Sequence, residues 1–266
     1  MSKALFLKNL RAHWKLAAAS AGVLALYFSV ILGMYNPENP GIIGMLASYK
    51  LPPFLLAAFG FDRVVTELNG FLASFFYGML MLAFPLVSYA FLANRLVAAL
   101  VEKGSMATVL QAPITRVKTA FTQGVFLICC VAFLVLSVTL TGLLLAQSLF
   151  PGLLGVPGFL RLNLGALLLH LMLSGLCFFF SCLFSDTRRS LAWGSGLPIL
   201  FILLHMLAKT GPGLHALRFL TPFSLYEAMD YAAGKPILTQ AAAMLASGLL
   251  LYAAGVWVFH RKDLPL

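Results

Sequence analysis

Long runs of apolar residues, separated by short polar connections, organise the whole chain. An α-helix rises 1.5 Å per residue, so about 20 apolar residues are enough to cross the hydrocarbon core of a bilayer. Six runs reach that length. The pattern therefore predicts an all-α integral membrane protein in which residues 1–266 form a single domain with six transmembrane helices. The predicted spans are residues 16–34, 71–93, 119–147, 163–185, 190–208 and 238–259.

Lys and Arg are unevenly divided between the two sets of connections that alternate along a six-span chain. The set that includes both termini carries twelve basic and three acidic residues, whereas the other set carries six and five. Because cytoplasmic connections are enriched in Lys and Arg, this difference predicts that both termini face the cytoplasm. The twelve basic residues are Lys3, Lys8, Arg11, Lys15, Arg95, Lys103, Arg116, Lys118, Arg188, Arg189, Arg261 and Lys262.

The first 15 residues predict an interfacial amphipathic helix, because a basic helix with an aromatic anchor lies in the plane of the membrane surface. The alternative is an ordinary basic flank that only sets the topology. The side facing lipid would carry Phe6, Leu10 and Trp14, and the opposite side Lys8 and Arg11. The connections 35–70 and 209–237 are predicted to form short helices against the outer ends of the spans.

Composition agrees with a membrane protein and excludes several functions. The chain is 61% hydrophobic and 10% charged, with a mean hydropathy of +0.96, far from the values of soluble domains. The formal charge of +10 would suit a nucleic-acid partner only on a soluble basic face, and the sequence has none. The predicted spans contain no Asp, Glu, Lys or Arg, which argues against proton-coupled and ion-coupled carriers.

Catalytic chemistry finds little support in the sequence. His170 and His205 are the ionisable residues within the predicted spans, and they are either packing residues or members of a substrate pathway. No spacing of His, Cys, Asp or Glu predicts a metal site or a catalytic group. The chain also lacks the Gly-rich loop and Lys that hold ATP phosphates. We therefore expect a protein that is not an enzyme by itself, binds no cofactor directly and takes its energy from a partner.

Residues 94–118 form a polar interruption on the predicted cytoplasmic side. Gly104 is expected to end the helical continuation of the second span, with Ser105 as the N-cap of a short helix. An apolar helical face rimmed by charges indicates a docking surface for a soluble partner; the alternative is a helix that folds back on its own bundle. The apolar face comprises Met106, Val109, Leu110 and Pro113, and the rim comprises Glu102, Lys103 and Arg116.

This segment resembles the second cytoplasmic connection of bacterial ABC exporter permeases of the ABC-2-like type. The similarity lies in "NRLVAALVEKGSMATVLQAPITRVKTAFTQ", where an acid, a Gly and an apolar turn precede a Pro-x-Thr-Arg-like sequence, and in the ending "VFHRKDLPL". The matching positions are Glu102, Gly104, Met106, Leu110, Pro113 and Arg116, together with Phe259, Asp263 and Leu264 at the C-terminus.

The resemblance implies a permease subunit of the bacterial cytoplasmic membrane. In that family a cytoplasmic coupling helix docks on a separate ATPase subunit, which binds ATP and Mg²⁺. Two permeases pair, here as a homodimer, above two ATPases. By this resemblance we expect an exporter of a hydrophobic or amphipathic substrate such as a peptide, drug or lipid. A non-transporting scaffold or immunity protein and a small-ion exporter remain the alternatives.

Overall fold

The computed structural model describes residues 1–37, 52–58, 67–111 and 114–263. Two residues of the predicted motifs, Pro113 and Leu264, lie outside these ranges. Every regular element within them is helical. The α-helices are α1 (Lys3–Gly33), α2 (Pro53–Ala58), α3 (Leu68–Leu72), α4 (Met81–Leu96), α5 (Ala98–Glu102), α6 (Ser105–Gln111), α7 (Arg116–Leu149), α8 (Val156–Leu183), α9 (Thr187–Ala208), α10 (Ala228–Ala232) and α11 (Leu238–Arg261); a π-helix covers Ala73–Leu80 and 3₁₀-helices cover Pro212–Leu220 and Pro222–Leu225.

Within the described ranges, six helical segments are long and apolar enough to cross a bilayer, in agreement with the predicted number of spans. They are α1, the run from α3 to α5, α7, α8, α9 and α11. The chain is therefore a multi-pass membrane protein. The connection between α9 and α11 consists of two 3₁₀-helices and the five-residue α10, as the sequence predicted for that region.

The N-terminal segment differs from the prediction of a separate interfacial helix. Helix α1 runs without interruption for 31 residues, because the segment between Lys15 and Ser20 contains three consecutive Ala, the strongest helix former, and no breaker. The Phe6 ring packs edge-on against Phe126 of α7, with centroids 5.4 Å apart. It therefore faces the bundle rather than lipid.

Other residues of this segment keep the exposure that the sequence predicted. Leu10, Trp14, Lys8 and Arg11 are exposed. Opposite them, the buried Asn9 amide donates a short hydrogen bond to the side-chain carbonyl of Gln123. The first turns of α1 are thus held by α7, and the polar contact lies on the side turned away from solvent.

Both chain termini lie at the same end of the bundle, which we call the terminal end. The Ser2 amide donates to the Thr122 hydroxyl at 2.9 Å, and Arg116 donates to the carbonyl of Lys262 at 3.2 Å. The first of these contacts joins the start of α1 to the start of α7, and the second joins the start of α7 to the end of α11. The other end, where α9 ends and α11 begins, is the distal end.

Helix α8 is the centre of the bundle and α9 lies at its edge. In the most apolar 18-residue stretch of each helix, 61% of residues are buried for α8 and 22% for α9. Gly248 on α11 allows close approach to α8, since a Cβ there would lie 3.2 Å from the Met172 backbone. Small residues are the usual means of bringing membrane helices into contact.

The second span contains an eight-residue π-helix, Ala73–Leu80, before it continues as α4. π-Helical turns are rare and are frequent at functional sites. The Tyr77 hydroxyl, within this segment, donates to Asn163 of α8 at 2.9 Å. Asn163 in turn donates to the Phe159 carbonyl at 2.9 Å, so the irregular segment is anchored to the central helix.

Gly165 provides a test of this packing. A Cβ at this position would lie 2.6 Å from the ring of Tyr226, and it would also collide with Tyr231; both rings are fully enclosed. We expect Gly165→Ala to lower the free energy of unfolding by about 1–3 kcal/mol, as overpacking does. Unfolding in mixed dodecyl sulfate and dodecyl maltoside micelles measures the change.

Gly196→Ala is the matched control, because a Cβ there meets no atom within 4 Å. It should change the free energy of unfolding by less than about 0.5 kcal/mol. Equal stability of the two variants would contradict the close contact between α8 and the distal connection.

Candidate functional site

The segment between the second and third spans forms two short helices, α5 and α6, at the terminal end. Gly104 separates them with φ of 69°, a left-handed conformation that favours glycine, so its predicted role as a helix breaker is confirmed. The predicted capping role of Ser105 is wrong. Its hydroxyl donates to the Leu100 carbonyl at 3.2 Å, and Ser105 is itself the first residue of α6.

The expected exposed docking face on α6 is not observed. Met106 is 1% exposed and belongs to the hydrophobic core, and Val109 is partly buried against the same core. The helix therefore folds back on its own bundle, the alternative that the sequence left open. Burial removes the apolar side chains from water. The Leu110 side chain is not described, and the exposed residues of this region are Glu102, Lys103, Gly104, Thr108 and Gln111.

Glu102 joins this region to the start of α9. Its carboxylate accepts from the Thr187 backbone N–H at 3.3 Å and takes a short hydrogen bond from the Thr187 hydroxyl. The N-cap residue Asp186 accepts from the Arg189 N–H at 2.7 Å. Carboxylates are favourable beside the positive end of a helix dipole. Two of them therefore hold the first turn of α9, and one comes from α5.

Arg116 and the C-terminal residues form a second connection at the terminal end. The Arg116 guanidinium binds the Lys262 carbonyl, and the Lys262 ammonium donates to the Cys182 carbonyl at 3.2 Å. Burial lowers the pKa of Lys262. Phe259 is enclosed in the core, whereas Asp263 is exposed. The basic residue expected on the docking rim therefore contacts the chain's own C-terminal segment.

The two histidines of the predicted pathway lie in different places. His170 is completely buried on α8, its ring 5.6 Å from that of Tyr89. Neither of its ring nitrogens has a hydrogen-bond partner within the described part of the chain. His205, near the end of α9, lines an open cavity at the distal end. The structure thus brings only His205 to a space that a ligand can enter.

This distal cavity has a volume of about 1110 Å³, slightly above the usual range of about 300–1,000 Å³ for small-molecule sites. The π-helix, the end of α9, the two 3₁₀-helices, α10 and the start of α11 form its walls. Tyr77 and His205 are among its lining residues, and Lys209, Arg218 and Lys235 are among its charged ones. Sequence reasoning missed this site, although the aromatic and charged residues of "TPFSLYEAMDYAAGKP" were a signal for it.

Ion pairs and buried tyrosines shape the cavity wall. The Lys209 ammonium lies 3.0 Å from the Glu227 carboxylate, and that of Lys235 lies 2.6 Å from Asp230. The Tyr226 hydroxyl donates to the Leu162 carbonyl at 3.0 Å. Burial raises the pKa of both Tyr226 and Tyr231, so both remain neutral hydroxyls.

The fold therefore defines a multi-pass α-helical membrane protein with an open cavity at one end and a hydrogen-bonded set of connections at the other. No protein-family model matches the sequence, and no curated protein is significantly similar to it. Any function has to be argued from the cavity and the connections.

The Glu102–Thr187 contact makes a direct prediction. Glu102→Ala removes the acceptor of the Thr187 N–H, so amide hydrogen exchange in the first turn of α9 should become about fivefold faster, the effect of losing one net hydrogen bond. Exchange measured by mass spectrometry on peptides covering residues 184–192 tests this.

Two variants serve as controls. Glu102→Gln keeps a carbonyl oxygen and should show a smaller increase, and Asp263→Ala removes an exposed carboxylate of the same end and should show none. The contact has no structural role if Glu102→Ala exchanges at the wild-type rate.

Proposed function

We propose that this chain is the permease subunit of an ATP-driven exporter in the bacterial cytoplasmic membrane. One observation carries the proposal. At its first residue, Thr187, α9 contacts the segment from α5 to α6 (residues 98–111), which we call the α5–α6 connection, and near its last residues, including Ala208, it lines the cavity. The helix has 22 residues and is about 33 Å long. A displacement at the terminal end therefore reaches the cavity through one continuous helix.

The low burial of α9 supports such a movement. It is the least buried of the six spans, with 22% of its most apolar stretch buried. Its contacts with the central α8 include a hydrogen bond from the Cys177 thiol to the Gly194 carbonyl at 3.1 Å. Allosteric changes in membrane and soluble proteins often consist of such rigid-body shifts of helices.

A separate ATPase supplies the energy, since the sequence has no phosphate-binding loop. The excess of Lys and Arg in the connections of the terminal end supports its cytoplasmic location. Because Met106 is buried, the docking surface consists of the exposed polar side of the α5–α6 connection, with Lys103, Thr108 and Gln111. Two ATPase copies, which bind ATP and Mg²⁺, would serve a homodimer of this chain.

The cavity favours a molecular substrate over an ion. Its volume of about 1110 Å³ suits an amphipathic peptide, drug or lipid, whereas an ion needs only a few ligating atoms. The charge-free spans fit a substrate with a large apolar part, because desolvating polar groups without partners is costly. Of the two alternatives, a scaffold or immunity protein would bind a partner without coupled ATP hydrolysis.

Native mass spectrometry of the tagged chain, purified from its host's membranes, tests the proposal. We expect two 28.8 kDa chains with two Walker-type ATPases, whose hydrolysis is stimulated by substrate after reconstitution. Lys103→Glu combined with Gln111→Glu should weaken ATPase retention about tenfold or more. The two new carboxylates would either lose water without gaining a partner or face like charges at the interface.

Thr239→Glu, which introduces one carboxylate at the distal end, is the control and should leave ATPase retention unchanged. Retention of the ATPase by the double variant would exclude docking through this surface. A lone chain or a simple dimer, in conditions where another exporter stays assembled, would exclude the exporter and favour the scaffold.

A further inference from the structure

The described residues that line the distal cavity carry three positive and two negative side chains, so one positive charge is left over. Lys209 and Lys235 are neutralised by the carboxylates of Glu227 and Asp230. Arg218 has no carboxylate partner in the described ranges. Its guanidinium lies 3.1 Å from the His215 ring nitrogen and 4.7 Å from the centroid of the Phe219 ring. Among its described residues, the cavity therefore presents one guanidinium without a carboxylate partner, which donates a hydrogen bond to Nε2 of His215.

Arg218 stands on a segment suited to the membrane surface. The 3₁₀-helix Pro212–Leu220 exposes three large apolar side chains, with exposed fractions of 42% for Leu214, 76% for Phe219 and 63% for Leu220. Exposed apolar side chains beside a cation are typical of elements that lie at the level of the lipid headgroups. The cavity mouth therefore meets both the apolar and the anionic parts of an amphiphile.

The rest of the cavity wall offers apolar surface together with neutral polar groups. Leu82, Met229 and Ile237 contribute apolar atoms. Nδ1 of His205 and the Tyr231 hydroxyl are buried in this wall and have no hydrogen-bond partner among the residues that the structure describes. Buried polar groups are normally satisfied by protein, water or ligand. The wall can thus accept an apolar chain, whereas both carboxylates among its described residues are paired and would not attract a cationic ligand.

We propose that the distal cavity binds an anionic amphiphile, with its phosphate-like or carboxylate-like head at Arg218 and His215 and its apolar part between the π-helix and the start of α11. A guanidinium binds such groups through planar, charge-assisted hydrogen bonds. The assignment concerns binding alone. It does not depend on ATP-driven transport and can hold or fail separately from the function proposed above.

The test uses the full chain in phosphatidylcholine nanodiscs without any ATPase, and measures binding of tritiated dodecyl phosphate by a scintillation proximity assay against empty nanodiscs. We expect saturable binding, and weaker competition by dodecyl trimethylammonium and dodecyl maltoside than by unlabelled dodecyl phosphate. Arg218→Gln should weaken binding about tenfold, the effect of losing a hydrogen bond to a charged group. Arg218→Lys keeps the charge and should lose less.

Arg188→Gln is the matched control, because Arg188 is exposed at the terminal end, and it should bind as the wild type does. Adding phosphatidylglycerol separates two sources of the ligand. Competition by this lipid in the wild type, but not in Arg218→Gln, identifies a bilayer lipid as the occupant, and no competition identifies a free amphiphile. The proposal is overturned if the wild type shows no saturable binding, if Arg218→Gln binds as tightly as the wild type, or if the cationic amphiphile competes equally well.

Discussion

The dry interior of the bilayer is the constraint on which this structure depends. With no water in the hydrocarbon core, backbone groups have to be satisfied within helices and polar side chains have to find partners inside the bundle. Tyr77 with Asn163, Ser174 with Tyr252, and Ser181 with the Ala93 carbonyl are such internal pairs. These bonds join the spans in a defined arrangement, and the charged residues are left to the two ends.

The charged residues at the two ends of the bundle have different surroundings. At the terminal end, Glu102 and Arg116 make contacts within the chain that tie the α5–α6 connection to α9 and the C-terminal residues to α7. At the distal end, charged and aromatic side chains surround a cavity. Helix α9 is the element common to both ends. An exporter needs such a path between the site of energy input and the site of substrate binding, although binding by itself needs only the cavity.

In the terminal-end region, the positions of the helix break and of the short helix could be predicted from the sequence, but the exposure of their side chains could not. The Gly104 break and the short helix after it followed from turn chemistry. The periodicity of Met106 and Val109 identified an apolar face correctly. It did not indicate whether that face meets water or the bundle, because the same pattern serves both. The long α1 illustrates the same limit, since amphipathicity in the first 15 residues predicted a lipid-facing Phe6, and Phe126 of α7 decided otherwise.

The sequence by itself determined the class of protein, the number of spans and the absence of charge within the predicted spans. The reason is that the length and hydropathy of a segment are local properties that decide whether it can cross a bilayer. Only the tertiary structure decided which polar residues meet. His205, Arg218 and Tyr231 come from three different elements, and Glu102 is 85 positions from Thr187. Contacts at such separations arise from how the helices pack against α8, and no pattern along the chain encodes them in isolation.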